Sequence, residues 1–313
     1  MLPQERRIPA FGLAAMAGWR GAYLIAAITA GFAAACGKVP ALAEGQQLNQ
    51  QSTGVCGGDE IARGTVRRVV DGRTFVLEDG REVRLAAIEV PPVAAPRDTA
   101  IAPPGGRSAA AALEALAGGD NVLLRQAETG LDRYGRLLAY AYVLRDDDAF
   151  LLQRELVADG FARVASRGAT ACTVDLLNRE KAAREAKLGL WADPYYEVLD
   201  AEAPKDVLAQ RGRFALVEGK VASVREGGPI IYVNFGRRRS GDITVTVLKR
   251  NERNFTAAGL DLKSLAGRRI RVRGWIEQRG GDRAWIEGRA SGADRDRGMI
   301  DQRPDGMLAR NRV

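Results

Sequence analysis

Twice along this chain, five short strand-like runs follow one another with a helical stretch among them. That repeated order restricts the available folds more than any other feature of the sequence. In the first set, Gly64–Val70, Thr74–Glu78 and Arg81–Ile88 alternate or run apolar, separated by Asp71-Gly72 and Asp79-Gly80. Such Asp-Gly pairs suit tight turns between strands. Pro91-Pro92 stops the third run, because proline cannot donate to a strand ladder. Residues 93–107 form a loop rich in Pro, Ala and Gly, after which Ser108 reads as the cap of a helix running through Leu116 to Gly118-Gly119. Asn121–Gln126 and Leu137–Leu144 supply two more strands. Asp146-Asp147-Asp148 then opens a helix through Ala158, stopped by Gly160, and a last helix spans Thr173–Leu188 with Gly189 and Trp191 beyond it. Consecutive carboxylates in such a turn point in different directions, so the aspartate run reads as a solvated helix start and not as a metal site.

The second set lies in residues 211–290. Its runs are Phe214–Val224, Ile230–Phe235, Ile243–Leu248, Arg269–Glu277 and Arg283–Glu287, with a helical stretch Asn251–Ala258 between the third and fourth. Glycine-rich turns punctuate it at Gly227-Gly228-Pro229, Arg237–Gly241 and Gly280-Gly281-Asp282. Both orders suit a small barrel of the OB type. The expected fold class is therefore α+β, mainly β. It comprises a five-stranded OB-type barrel with three helices over residues 60–194, then a second, basic OB-like β-barrel. Residues 195–210 read as a linker and residues 291–313, charged and without apolar periodicity, as a disordered tail.

The N-terminus has the order of an export signal. Arg6, Arg7 and Arg20 precede an apolar run from Gly21 to Cys36, shorter than the ~20 residues of a membrane span. Cleavage after Ala41-Leu42-Ala43 gives an ordinary signal of residues 1–43. Ala33-Ala34-Ala35-Cys36 resembles a lipoprotein box, which would make Cys36 a lipid anchor and the only route to a membrane. Polar residues 44–59 then read as a linker. The expected location is periplasmic or secreted. Removal or lipidation of Cys36 leaves Cys56 and Cys172 as a disulfide pair in an oxidising compartment.

Composition narrows the chemistry. The chain has no histidine, which excludes Ser-His-Asp triads, Cys-His dyads and histidine-metal nucleases. Hydrolysis would have to run on carboxylates, arginines and a hard cation. Charge is also unevenly placed. Residues 211–313 hold 23 Lys+Arg against 12 Asp+Glu, whereas residues 1–210 hold 24 against 27. The basic excess of the C-terminal third suits an anionic partner, nucleic acid or a membrane surface.

Four stretches carry a family resemblance: residues 69–74 (Val-Val-Asp-Gly-Arg-Thr), residues 84–91 (Arg-Leu-Ala-Ala-Ile-Glu-Val-Pro), residues 132–140 (Asp-Arg-Tyr-Gly-Arg-Leu-Leu-Ala-Tyr) and Gly189-Leu190-Trp191. In order and spacing they resemble the thermonuclease, staphylococcal-nuclease-like family. The resemblance implies that Arg84 and Arg136 hold a phosphate, that Glu89 stands at a calcium-ligand position, and that Val90 replaces a residue ligating through its backbone. It also exposes two departures. Arg73 occupies the place of the first metal carboxylate, and Pro92 that of the general-base glutamate. Asp71 is kept as a turn residue, and Asp98 is the one nearby carboxylate able to stand in as a base. An arginine repels a cation, so the expectation is that Arg73 pairs with Glu89 and that Arg73, Arg84 and Arg136 form an anion pocket with Tyr134 beside it.

These readings support an exported binder of nucleic acid or another phosphate-bearing ligand, with weak or no cleavage and no cofactor, or calcium if active. The alternatives are a working calcium-dependent nuclease and an envelope interaction protein. In the second half, Tyr232, Phe235, Trp275 and Trp285 are candidates for base stacking, at most two of them exposed. Arg237, Arg238, Arg239, Lys249 and Arg250 are candidates for phosphate contact.

Overall fold

The structure, a computed structural model, describes residues 56–93, 103–146, 148–165, 171–236, 242–257, 259–279, 283–288 and 299–301. The expected export signal with Cys36, Asp98, and Arg237 to Arg239 lie outside the described residues. All described residues belong to one compact unit, Gln47–Val313.

The first half runs β1 (Glu60–Asp71), β2 (Thr74–Leu77), β3 (Glu82–Leu85), β4 (Ile88–Glu89), α1 (Gly106–Ala117), β5 (Asn121–Leu131), β6 (Leu137–Arg145), β7 (Asp148–Leu151), α2 (Leu152–Ala158), β8 (Arg163–Val164) and α3 (Ala171–Glu185). It is a mixed α+β arrangement dominated by strands. The main sheet is ordered β3-β2-β1-β5-β6-β7, and β3 pairs in addition with β6, in parallel. Pairing can thus be followed from β1 through β2, β3, β6 and β5 back to β1. Alternation sets which side chains point inward. Phe75, Leu77, Val83, Leu85 and Leu124 are fully buried in one core with Leu113 of α1 and Leu152 and Leu156 of α2. The Cys56–Cys172 disulfide joins the chain just before β1 to the first turn of α3, across a separation of 116 residues.

Two local expectations are corrected here. Ser108 does not cap α1. The helix opens at Gly106, after Gly105 turns the chain at φ 90°, and Ser108 is an exposed residue inside it. Asp148 starts a strand and not a helix, because Phe150 and Leu151 extend the sheet by pairing with Val143 and Tyr142. The helix begins only at Leu152.

The second half follows short 3-10 turns at Gly189–Ala192 and Pro194–Tyr196. It runs β9 (Leu199–Asp200), α4 (Pro204–Ala209), β10 (Phe214–Lys220), β11 (Ser223–Gly227), β12 (Ile230–Asn234), β13 (Ile243–Leu248), α5 (Glu252–Ala257), β14 (Arg269–Arg279), β15 (Arg283–Gly288) and β16 (Met299–Asp301). The sheet order is β11-β12-β13-β15-β14-β10-β9, with β13–β15 parallel. The expected first strand, Phe214–Val224, is broken at Val221-Ala222 into β10 and β11, which pair at opposite ends of the sheet path.

Residues 195–210 are not a bare linker. Leu199 and Asp200 pair in parallel with β10, and Val207 of α4 is fully buried in the second core. Two- and six-residue elements are too short to show periodicity in sequence. The expected tail is likewise ordered at Met299–Asp301, which pairs with Arg271–Arg273 of β14.

The halves share a third core, in which Ala183, Leu190 and Trp191 pack with Tyr196, Phe214 and Leu216, and Trp275 lies against them. Within this junction the Glu180 carboxylate accepts from both terminal nitrogens of Arg273, at 2.7 and 2.9 Å, and from the Val164 N–H at 2.6 Å. Arg273 also donates to the Val164 carbonyl. Both charged side chains are 1 % exposed.

Candidate functional site

The site grows from the β1–β2 turn. Asp71 accepts the Arg73 N–H at 2.8 Å, which closes the turn locally as aspartates do. Gly72 lets α1 press on that turn, since a Cβ there would stand 2.6 Å from the Ala109 Cβ. The backbone of Arg73 is fixed further by its carbonyl, which accepts from the Leu85 N–H at 2.7 Å. Its side chain is therefore directed inward, and the residue is only 8 % exposed.

Arg73 Nη1 meets two oxygens. It donates to the Ile88 carbonyl at 2.9 Å and to Glu89 Oε2 at 2.6 Å. Those oxygens are brought into place by Ala87, whose φ of 63° bends β3 into β4. A non-glycine residue in this left-handed region carries about 1–2 kcal/mol of strain. The bend is held by the Ala165 N–H donating to the Ala87 carbonyl and by the β4–β8 pairing, in which Glu89 faces Arg163.

Arg84 lies on β3, directly opposite Thr74 of β2 and Leu138 of β6, and is half-buried. The pleat puts these three side chains on one face. Thr74 Oγ1 is buried there with no hydrogen-bond partner among the described residues. Arg136 stands two residues before Leu138, at the mouth of the β5–β6 hairpin. Its Nε and Nη2 both reach Asp132 Oδ2, at 2.8 and 2.7 Å, while Asp132 Oδ1 accepts the N–H groups of Tyr134 and Arg136. Partial burial opposes ionisation of Asp132. The Arg136 side chain and the two backbone N–H groups outweigh it and hold the carboxyl below its ordinary range. Tyr134 is 66 % exposed, with the Arg133 and Arg136 guanidinium groups 4.7 and 4.9 Å from its ring centre.

The expected site residues thus fall into separate groups. Arg73 and Glu89 are in contact. Arg84 is carried by β3 and Arg136 by the turn that enters the adjoining β6, with Tyr134 exposed beside Arg136. Val90 is buried, and Pro92 is exposed and carries no ionisable group.

In the second half the structure corrects two expected contacts. Phe235 is 8 % exposed and belongs to the core, because alternation turns it inward with Ile231 and Val233. Trp275 is spent on the junction, edge-on to Phe214 at 6.4 Å. Tyr232 and Trp285 remain half-buried and meet each other edge-on at 5.9 Å. Lys249 is paired with Glu226, and Arg250 is exposed.

Several contributors carry no expected role. Asp132 could have been found from the Asp-x-x-Gly-Arg spacing of residues 132–136, which suits a side chain closing its own turn. Arg163 had no signal. It is buried between Tyr196 and Phe214, donates to the Phe214 carbonyl at 2.6 Å, and is pushed below its ordinary pKa by burial. Glu180 and Arg273 looked like surface charges on a helix and a strand.

Residues 82–193 match the family model described as Staphylococcal nuclease homologue. That span runs from β3 to the turn after α3, includes Arg84, Glu89 and Arg136, and stops short of the second half. Over that span the chain is similar to that family. No curated protein matches the chain.

Proposed function

We propose that this protein is an exported, thermonuclease-like binder of nucleic acid that grips the phosphate backbone with little or no cleavage. The observation that carries the reading is the contact of Arg73 with Glu89 and the Ile88 carbonyl. In the resembled family a cation sits among such oxygens, and here a guanidinium does. Calcium takes six to eight oxygen ligands at about 2.3–2.6 Å. The residues present do not fit it. The one carboxylate and the carbonyl that point inward are already engaged by a positive group, and among the described residues no three His, Cys, Asp or Glu side chains converge.

What remains is recognition. Arginine presents a planar fork matched to phosphate oxygens. Arg84 on β3 and Arg136 at the entry to the neighbouring β6 are the candidates for that role, with Tyr134 exposed beside Arg136. Asp132 holds Arg136 from one side and so fixes its direction. The absence of a carboxylate at Pro92 removes the group that would activate water, a loss of about 10²–10⁴-fold in such chemistry.

The ring of pairings β1-β2-β3-β6-β5 supports a closed OB-type barrel in the first half. The second half repeats it, with β10 and β11 serving as one bent strand that pairs with β14 on one side and β12 on the other. The Cys56–Cys172 bridge is consistent with the oxidising compartment that an export signal over residues 1–43 would reach.

The test is digestion and binding of single-stranded DNA with and without calcium, run beside an Arg73→Asp, Pro92→Glu double variant. The natural protein is expected to bind with a steep salt dependence and to leave the strand uncut. The double variant is expected to gain calcium-dependent cutting. Efficient calcium-dependent cleavage by the natural protein would favour the second reading, a working nuclease with a rearranged site. Binding that ignores salt would favour an envelope interaction protein.

A further inference from the structure

The outer face of the second half carries an unusual set of side chains. In a strand, alternate residues share a face, and residues directly opposite on neighbouring strands share it too. Following the register, Arg225 of β11 stands opposite Tyr232 of β12, which stands opposite Thr246 of β13. Asn234 stands opposite Thr244, and Thr244 opposite Trp285 of β15. Trp285 in turn stands opposite Glu277 of β14, with Arg279 two residues on. The interleaved residues Ile231, Val233, Val245 and Ile286 are fully buried on the core side. This second face is therefore the outward one.

Outward-facing threonines on a small barrel are ordinarily wet, yet Thr244 and Thr246 are 2 and 6 % exposed. The cause is the two rings flanking them. Tyr232 and Trp285 lie on opposite sides of β13 and close over it, edge to face. Arg279 lies over the indole at 5.4 Å and is steadied by Glu277 at 2.7 Å. Trp285 Nε1 is buried without a hydrogen-bond partner among the described residues, so the ring is held by its faces and edges alone. On the far side Arg225 is exposed, with no ion pair among the described residues. The face is thus a pair of aromatic rings bracketed by two guanidinium groups, with Glu277 opposite Trp285 and Glu287 opposite Thr246 in the register, in the part of the chain with 23 basic and 12 acidic residues.

We infer that this face is a second binding site, a stacking platform for the bases of single-stranded nucleic acid, distinct from the phosphate-gripping arginines of the first half. The inference rests on the nucleic-acid reading above. A ring offers its π-face to any base, and flanking arginines neutralise the phosphates on either side. The first half would then hold the backbone, and Tyr232 with Trp285 would hold the bases. The excess of positive charge selects a polyanion over a neutral sugar polymer, which also stacks on aromatic rings.

The experiment compares two labelled strands of equal length and charge, about twelve residues each. One is oligothymidylate and the other an abasic sugar–phosphate strand, bound to the full exported protein at low salt. The parent is expected to hold the thymidylate roughly ten-fold or more tightly than the abasic strand. Tyr232→Leu, which keeps an apolar cover on Thr246 but removes the ring, should erase most of that preference and leave abasic binding unchanged. Trp285→Leu should do the same, and Arg279→Gln should weaken both ligands modestly. Arg84→Ala should weaken both strands equally and leave the preference intact. Equal affinity of the parent for both strands would overturn the inference, as would a full base preference in Tyr232→Leu. A base preference that survives while Arg84→Ala changes nothing would leave the platform standing and sink the phosphate-site reading instead.

Discussion

Neutralising Glu180 should destabilise the protein more than any surface change, and the size can be worked from its surroundings. Its carboxylate is fully buried and accepts three hydrogen bonds, two from Arg273 and one from the Val164 N–H. Glu180→Gln keeps the shape and removes the charge. That strands a guanidinium that is 1 % exposed and whose Nε already lacks a partner among the described residues. Breaking one side of a buried ion pair costs about 3–5 kcal/mol. At about 2–4 °C per kcal/mol for a unit of this size, the thermal midpoint should fall by roughly 6–20 °C. The double variant Glu180→Leu, Arg273→Met removes both charges. It leaves the Val164 N–H without its acceptor and the Val164 carbonyl without the Arg273 donor, but exchanging a whole buried ion pair for apolar side chains of similar volume is about neutral in general. The double variant should therefore be more stable than Glu180→Gln alone. Urea unfolding followed by near-ultraviolet circular dichroism, with the disulfide intact, measures all three proteins. A cost below about 1 kcal/mol for the single variant would refute the reasoning, as would a double variant less stable than the single one. Because the pair bridges the halves, the parent should also unfold in one transition, and the single variant should separate into two.

Two further predictions concern conditions and covalent structure. Cys56→Ser with Cys172→Ser opens a loop of 116 residues and should lower stability by about 4–5 kcal/mol in the chain-entropy model, read as a lower urea midpoint that reductant no longer affects. In acid, Glu226 is held down to about 2 by hydrogen bonds from Lys249 and Lys263. Glu218 is also held low, burial being outweighed by Arg269 and Arg271. A depressed folded pKa contributes stability above the unfolded value of 4.5, and loses it as pH falls through the folded value. The urea midpoint should therefore drop as pH falls from about 5 to 2. A Glu226 carboxyl signal titrating near its ordinary value would contradict this, as would no upward move in Lys249→Gln, Lys263→Gln.

The strand order and its turns were legible because Asp71-Gly72, Asp79-Gly80 and Gly228-Pro229 punctuate runs that alternate or are apolar throughout. Arg84, Arg136 and Tyr134 were legible because they sit in a motif with fixed spacing. What sequence could not show was the fate of residues whose pattern does not differ between two environments. Tyr232 and Phe235 stand three residues apart in one run, so alternation puts them on opposite faces, and only register decides which of the two enters the core. Trp275 occupies a strand with the right period for exposure, but the first half covers it. Arg163, Glu180 and Arg273 carry charges that sequence places in solvent by default, and only their meeting at the junction makes burial affordable. The β9 and α4 segments, of two and six residues, are too short to repeat a pattern, and so read as linker.

The buried charges also sharpen the test of the proposed site. Arg73, Glu89 and Arg163 come in that order. Arg73 contacts Glu89, and Glu89 faces Arg163 across β4 and β8. Burial disfavours the Arg163 charge, and Glu89 is the first of the groups that offset it, followed by Tyr196 and Glu180. Glu89 is therefore retained for a reason that needs no metal, since it lies between two buried guanidinium groups. Exchanging Arg73 for aspartate reverses one of these charges and sets two carboxylates side by side in a buried place. Without a cation that variant should be less stable than the parent by several kcal/mol. With calcium at about a hundred times its dissociation constant it should recover about 2.7 kcal/mol. The thermal midpoint of Arg73→Asp should thus rise with calcium while that of the parent does not move. That readout is independent of cutting, so a repaired site that binds but fails to cleave can be told from one that was never repaired. A parent whose midpoint climbs with calcium as steeply as the variant's would mean that Arg73 does not stand in the cation's place.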